Sequence, residues 1–112
     1  MKIWVDDIRT PPDETWTWFK NSKECIVFLR YAKGAWDINL MSLDHDLGGD
    51  DTTRPIVLWM CENDFWPIEV VVHSANPVGV EWLEGMIDMY KNHTVEENLA
   101  PDSDWRYKFW DY

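Results

Sequence analysis

Three short apolar runs in this chain each end, without a spacer, in acids, histidines or hydroxyl residues, and this pattern limits the fold more than any other feature. Ile3-Trp4-Val5 runs into Asp6 and Asp7. Ile38-Asn39-Leu40-Met41-Ser42-Leu43 runs into Asp44-His45-Asp46-Leu47-Gly48-Gly49-Asp50-Asp51, and Ile68-Glu69-Val70-Val71-Val72 into His73-Ser74-Ala75-Asn76-Pro77. Runs of this length, rich in β-branched residues, read as buried strands of the parallel-sheet type. A further strand, shorter and more polar, is expected at Trp16-Thr17-Trp18-Phe19, after the break at Thr10-Pro11-Pro12-Asp13.

Helical patterns fill the gaps. Ser22 is the expected N-cap of a helix with Cys25, Phe28, Leu29 and Ala32 on one stripe and Gly34 just past its end. Thr53 or a neighbour caps a second, with Pro55 in its first turn and Ile56, Trp59 and Met60 on one face. Asn76 and Pro77 start a third, with Val80, Leu83, Ile87 and Tyr90 along one stripe. Strands alternating with helices imply an α/β fold, a small three-layer sandwich around a mostly parallel sheet. Ligands of such sheets bind outside the carboxyl ends of the strands, where all three polar clusters arrive.

The chain has 112 residues, 46% of them apolar, which suits one domain with its own core. The core is expected over residues 1–91, with the aromatic segment 92–112 packing on it. No apolar run approaches the ~20 residues of a membrane helix. Cys25 and Cys61 read as buried thiols of a reducing compartment, so a cytoplasmic location is expected. The net charge of −11 argues against binding duplex DNA, and any phosphate ligand must arrive with a cation or meet one in the site. Nine tryptophans exceed what one core can hold, so an acidic, aromatic surface could also engage a protein partner.

Asp6, Asp7 and Asp44, converging from adjacent strand ends, would repel one another unless they share a hard divalent cation, Mg²⁺ in the first instance and Mn²⁺ as the alternative. His45 and His73 follow strands at the same edge, and two imidazoles across a phosphodiester can serve as base and acid near neutral pH. Ser74 and Asn76 can hydrogen-bond phosphate oxygens, although Asn76 is equally explained as a helix cap. Gly48 and Gly49 permit a tight turn and a close backbone approach to a ligand.

The acidic pair after the first strand, the Asp after a central strand and the hydroxyl residue followed by Ala after the next resemble the receiver domains of bacterial two-component systems. The resemblance implies a flavodoxin-like receiver topology. It also implies that Asp6 and Asp7 are the metal-binding pair and Asp44 the phosphoacceptor, that Asp46 sits where a backbone carbonyl reaches the metal, and that Ser74 is the hydroxyl residue. The chain departs from that pattern at two places: Thr10-Pro11-Pro12 stands where the first helix would be, and no apolar fifth strand ends in the phosphate-binding Lys. Lys91 closes a helix, and Lys108 lies in the aromatic tail.

Val5-Asp6-Asp7, the block from Leu43 to Asp51, and His73-Ser74-Ala75-Asn76-Pro77 more closely resemble the divergent family described as cyclic-phosphate-processing receiver domains. That resemblance implies metal-assisted hydrolysis or processing of a cyclic phosphate or phosphodiester, carried by a small molecule or an RNA end, with Asp44, His45 and His73 as catalytic residues. Two other readings stay open at this point: a degenerate receiver or phosphoacceptor switch at Asp44, and an acidic, Trp-rich interaction or inhibitor protein.

Overall fold

The strands form where the apolar runs stand, and each is four residues long. A computed structural model describes residues 1–91. β1 spans Lys2–Val5, β2 Trp16–Phe19, β3 Leu40–Leu43 and β4 Glu69–Val72, all parallel, in the order β2-β1-β3-β4. Between them lie α1 (Ser22–Tyr31), α2 (Arg54–Asn63) and, after β4, α3 (Pro77–Tyr90). This is the expected α/β receiver-like arrangement in a small, truncated form, and no helix separates β1 from β2.

The register explains the core. Ile3, Val5, Met41 and Leu43 share one face of the sheet and are fully buried. They meet Cys25 and Leu29 of α1, Ile56, Val57, Met60 and Cys61 of α2, and Leu83 and Tyr90 of α3 in one cluster. Fully burying side chains of this kind contributes roughly 1.5–3 kcal/mol each, so this face dominates the folding energy. Burial also pushes the Cys25 thiol up to about 12, which leaves it inert.

The opposite face carries Trp4, Trp16, Trp18, Ser42 and Val71, and among the described residues no helix packs on it. For that reason β1 shows alternating burial where its sequence suggested burial on both sides. Two of the three expected layers are thus built by residues 1–91. The expected packing of segment 92–112 lies outside the described residues.

Helix starts differ from expectation in instructive ways. Asn21, not Ser22, caps α1, its Oδ1 accepting from the Glu24 amide at 2.8 Å. Ser22 is buried and bonds Asp51 instead, its amide donating to Oδ2 at 2.8 Å and its hydroxyl to Oδ1 at 2.5 Å. Thr53 precedes α2 without a side-chain cap bond, because its hydroxyl is directed back to the Asp44 carbonyl at 2.6 Å. Asn76 caps α3 through the Gly79 amide at 3.1 Å, with Pro77 at the first helical position. The strand expected from Ile38 begins only at Leu40, since a 3-10 turn over Ala35–Asp37 draws the Ile38 amide to the Ala35 carbonyl at 3.0 Å.

Candidate active site

Each polar cluster is fixed to its neighbour by one further backbone bond beyond the strand. The Asp6 amide donates to Phe19 at 3.1 Å, the Asp44 amide to Val5 at 2.9 Å and the His73 amide to Leu43 at 2.9 Å. The sheet therefore sets the relative positions of all three clusters. Asp6, Asp7 and Asp44 converge: each offers a carboxylate oxygen, and these oxygens lie within 4.8 Å of one another.

Asp6 is 1% exposed. Burial alone would raise its pKa, but the amides of Ile8 and Arg9, both at 2.9 Å from Oδ1, and His73 at 3.0 Å from Oδ2 outweigh that and hold the carboxyl below its ordinary value. Asp44 is buried beside it, with Oδ1 accepting from the His45 amide at 2.8 Å. The Asp7 carboxylate is half-buried and makes no hydrogen bond among the described residues. Gly48 passes close to it at φ 86°, where a Cβ would lie 3.0 Å from Asp7 Oδ2, so both the turn and the approach require glycine. Gly49 has φ 55° and open space around it.

These acids border an open cleft of about 500 Å³, within the range of small-ligand sites. Ile8, Arg9, Asp46, Gly48, Ser74, Ala75 and Asn76 complete its lining. Gly49, His45 and His73 are not part of it.

Both histidines lie beside the cleft with their ring nitrogens occupied. His73 stacks on Trp4 with centroids 3.8 Å apart and planes 8° from parallel. Its Nε2 donates to Asp6 Oδ2, which leaves Nδ1 to accept from the Ser42 hydroxyl at 2.6 Å. His45 is 5% exposed. Arg54 Nε donates to His45 Nε2 at 2.9 Å, so Nδ1 carries the proton it gives to Asp46 Oδ1, also at 2.9 Å. Direct proton exchange with a ligand would require either ring to give up one of these partners.

The same network occupies Asp46 and Asn76. Asn76 Nδ2 donates to Asp46 Oδ2 at 3.0 Å while its Oδ1 caps α3. These bonds hold the exposed Asp46 carboxyl below its ordinary value, Asn76 contributing most and His45 next. Asp46 lines the cleft but stands outside the carboxylate cluster of Asp6, Asp7 and Asp44. Ser74 lines the cleft, its Oγ accepting from the Asn76 amide at 3.2 Å.

Residues 1–89 match the model of the cyclic-phosphate processing receiver domain family. The chain belongs to that family. Neither the curated proteins nor the solved structures compared with it give a match. In this receiver domain several side chains that support the site had no signal in the apolar pattern. Ser42 acts through His73, 31 residues on, while Thr53 and Arg54 reach back nine residues across the loop to Asp44 and His45, and the fold of that loop makes the contacts. Arg9 had a usable signal, being a cation three residues after an Asp at a strand end. No helix among the described residues is long and apolar enough to cross a membrane.

Proposed function

We propose that this receiver domain binds a divalent cation on Asp6, Asp7 and Asp44 and uses the adjoining cleft to open or hydrolyse a cyclic phosphate or related phosphodiester. The observation that carries the reading is the convergence of three carboxylates, one of them held ionised while buried, on a cleft that Ser74 also lines. The donor set fits such an ion. Three carboxylate oxygens suit a hard cation, Mg²⁺ or Mn²⁺, and the open side of the cleft leaves room for water and phosphate oxygens. When bound, the cation supplies charge neutralisation and Lewis-acid polarisation of a phosphoryl oxygen.

The chain's own residues then divide the work. His73 and Ser42 fix the orientation of Asp6, as outer partners commonly do for ligating carboxylates. His45 and Asn76 hold Asp46, Arg54 holds His45, and Thr53 holds the Asp44 carbonyl. Ser74 offers its hydroxyl proton to a phosphate oxygen. In this reading His45 and His73 position the acids, where the sequence cast them as proton carriers.

The test is metal-dependent turnover of 2′,3′-cyclic nucleotides by wild type, Asp44→Asn and His73→Ala. Turnover that is lost in Asp44→Asn and reduced in His73→Ala is the expected result. Absence of turnover in wild type, with Mg²⁺ or Mn²⁺ binding measured separately, would overturn the hydrolytic reading and favour phosphoacceptor chemistry at Asp44.

A further inference from the structure

We propose that Arg9 is the phosphate-binding side chain of this cleft and selects anionic phosphoesters as its ligands. The inference rests on the reading of the cleft as a phosphoester site and adds the group that makes such a ligand tolerable there.

Asp6, Asp7, Asp44 and Asp46 all line the cleft, and one divalent cation cannot neutralise four carboxylates. A phosphodiester entering it meets net negative charge, which a low-dielectric wall of buried residues intensifies. Among the described residues lining the cleft, Arg9 alone carries a cationic side chain. Three other cations are engaged away from the cleft: Arg54 lies over Trp82 at 4.7 Å and bonds His45, while Lys2 and Lys20 lie over Trp16 and Trp18.

The geometry of Arg9 suits the task. Its backbone is held on both sides, the amide donating to Asp6 Oδ1 at 2.9 Å and the carbonyl accepting from Trp4 Nε1 at 2.8 Å. Its guanidinium is not committed in the same way. The side chain is 51% exposed, Nε stands 3.9 Å from Asp6 Oδ2, and the only hydrogen bond of the group among the described residues is from Nη1 to the His73 carbonyl at 3.5 Å. A fixed stem with unused planar donors, next to a carboxylate of the cation cluster, can take phosphate oxygens in a forked contact that a Lys could make only as a point charge.

The experiment is calorimetric titration of the full chain with adenosine 3′-phosphate, a ring-opened monoester that the proposed reaction does not consume, at saturating Mg²⁺, together with titration by Mg²⁺ alone, for wild type, Arg9→Gln and Arg9→Lys. The nucleotide affinity of Arg9→Gln should fall about ten- to a hundredfold, the loss of a charged hydrogen-bonding group, and Arg9→Lys should recover part of it. Mg²⁺ affinity should be unchanged or higher, because a cation has been removed from beside the acids. Wild-type nucleotide affinity in Arg9→Gln overturns the assignment of Arg9 and leaves the site standing. Parallel loss of Mg²⁺ and nucleotide binding in both variants overturns it too, by assigning Arg9 a structural role. A wild-type protein that binds Mg²⁺ but no nucleotide overturns the phosphoester reading itself.

Discussion

His73 Nε2 lies 3.0 Å from Asp6 Oδ2, a bond between residues 67 positions apart that joins the end of β4 to the end of β1 across β3. Asp6 is almost fully buried and depends on this partner and on the Ile8 and Arg9 amides to stay ionised. The stability it contributes is therefore fully present above the ordinary value of 3.8 and lost as pH falls through its lower folded value. In metal-free buffer Asp6→Asn should be less stable than wild type at neutral pH, and the gap should close as the pH drops below 3.8. Urea unfolding followed by Trp fluorescence measures both. A gap that is constant with pH would mean the aspartate titrates alike in the folded and unfolded chain.

Two glycines of α3 should respond in opposite directions to the same substitution. A Cβ at Gly79 would lie 2.3 Å from His45 Cγ, in a ring held on both sides by Arg54 and Asp46, so Gly79→Ala should cost about 1–3 kcal/mol through overpacking. Gly85 is exposed with nothing within 4 Å of its Cβ position, and Gly85→Ala should stabilise by roughly 0.5–1 kcal/mol through helix propensity. Thermal melts of the two variants decide the matter. Equal shifts would show that the His45 ring moves aside freely.

The apolar runs and their polar endings made the sheet and the acid cluster legible, because both follow from local chemistry and from where parallel strands deliver their ends. The roles of the histidines were not legible in that way. Whether an imidazole faces a ligand or a carboxylate depends on partners such as Ser42 and Arg54, which come near only when strands and helices pack. The same holds for β1: Ile3-Trp4-Val5 reads as buried throughout, yet Trp4 faces the side of the sheet where no described helix lies and stacks on His73. Asn21 and Ser22 were exchanged as caps for a similar reason, since only the folded chain brings Asp51 to Ser22.

Thr53 offers a sharper test of how the loop after β3 supports the site. It is fully buried, and its hydroxyl is the donor to the Asp44 carbonyl at 2.6 Å. Thr53→Val keeps the shape but leaves that carbonyl without its donor, which should cost about 1–3 kcal/mol, whereas Thr53→Ser keeps the bond and loses only a methyl group. Denaturant midpoints for the pair should therefore separate, with Val the less stable. If Val matches Ser, the hydroxyl contributes nothing net and Asp44 is positioned by the strand alone.

Asp7 separates the cation proposal from structural explanations of the acid cluster. Its carboxylate has no hydrogen-bond partner among the described residues and stands near two others, so in metal-free protein it contributes repulsion and little else. Asp7→Asn should thus leave the metal-free melting temperature unchanged or slightly raised. Wild type at Mg²⁺ a hundredfold above its Kd should gain about 2.7 kcal/mol, a shift of roughly ten degrees or more, and Asp7→Asn at the same Mg²⁺ should lose most of that gain. The contrast between the two conditions carries the argument, because a residue that merely supports the fold would lower the melting temperature in both. An Asp7→Asn protein that Mg²⁺ stabilises as fully as wild type would remove Asp7 from the ligand set and leave Asp6 and Asp44 as a pair.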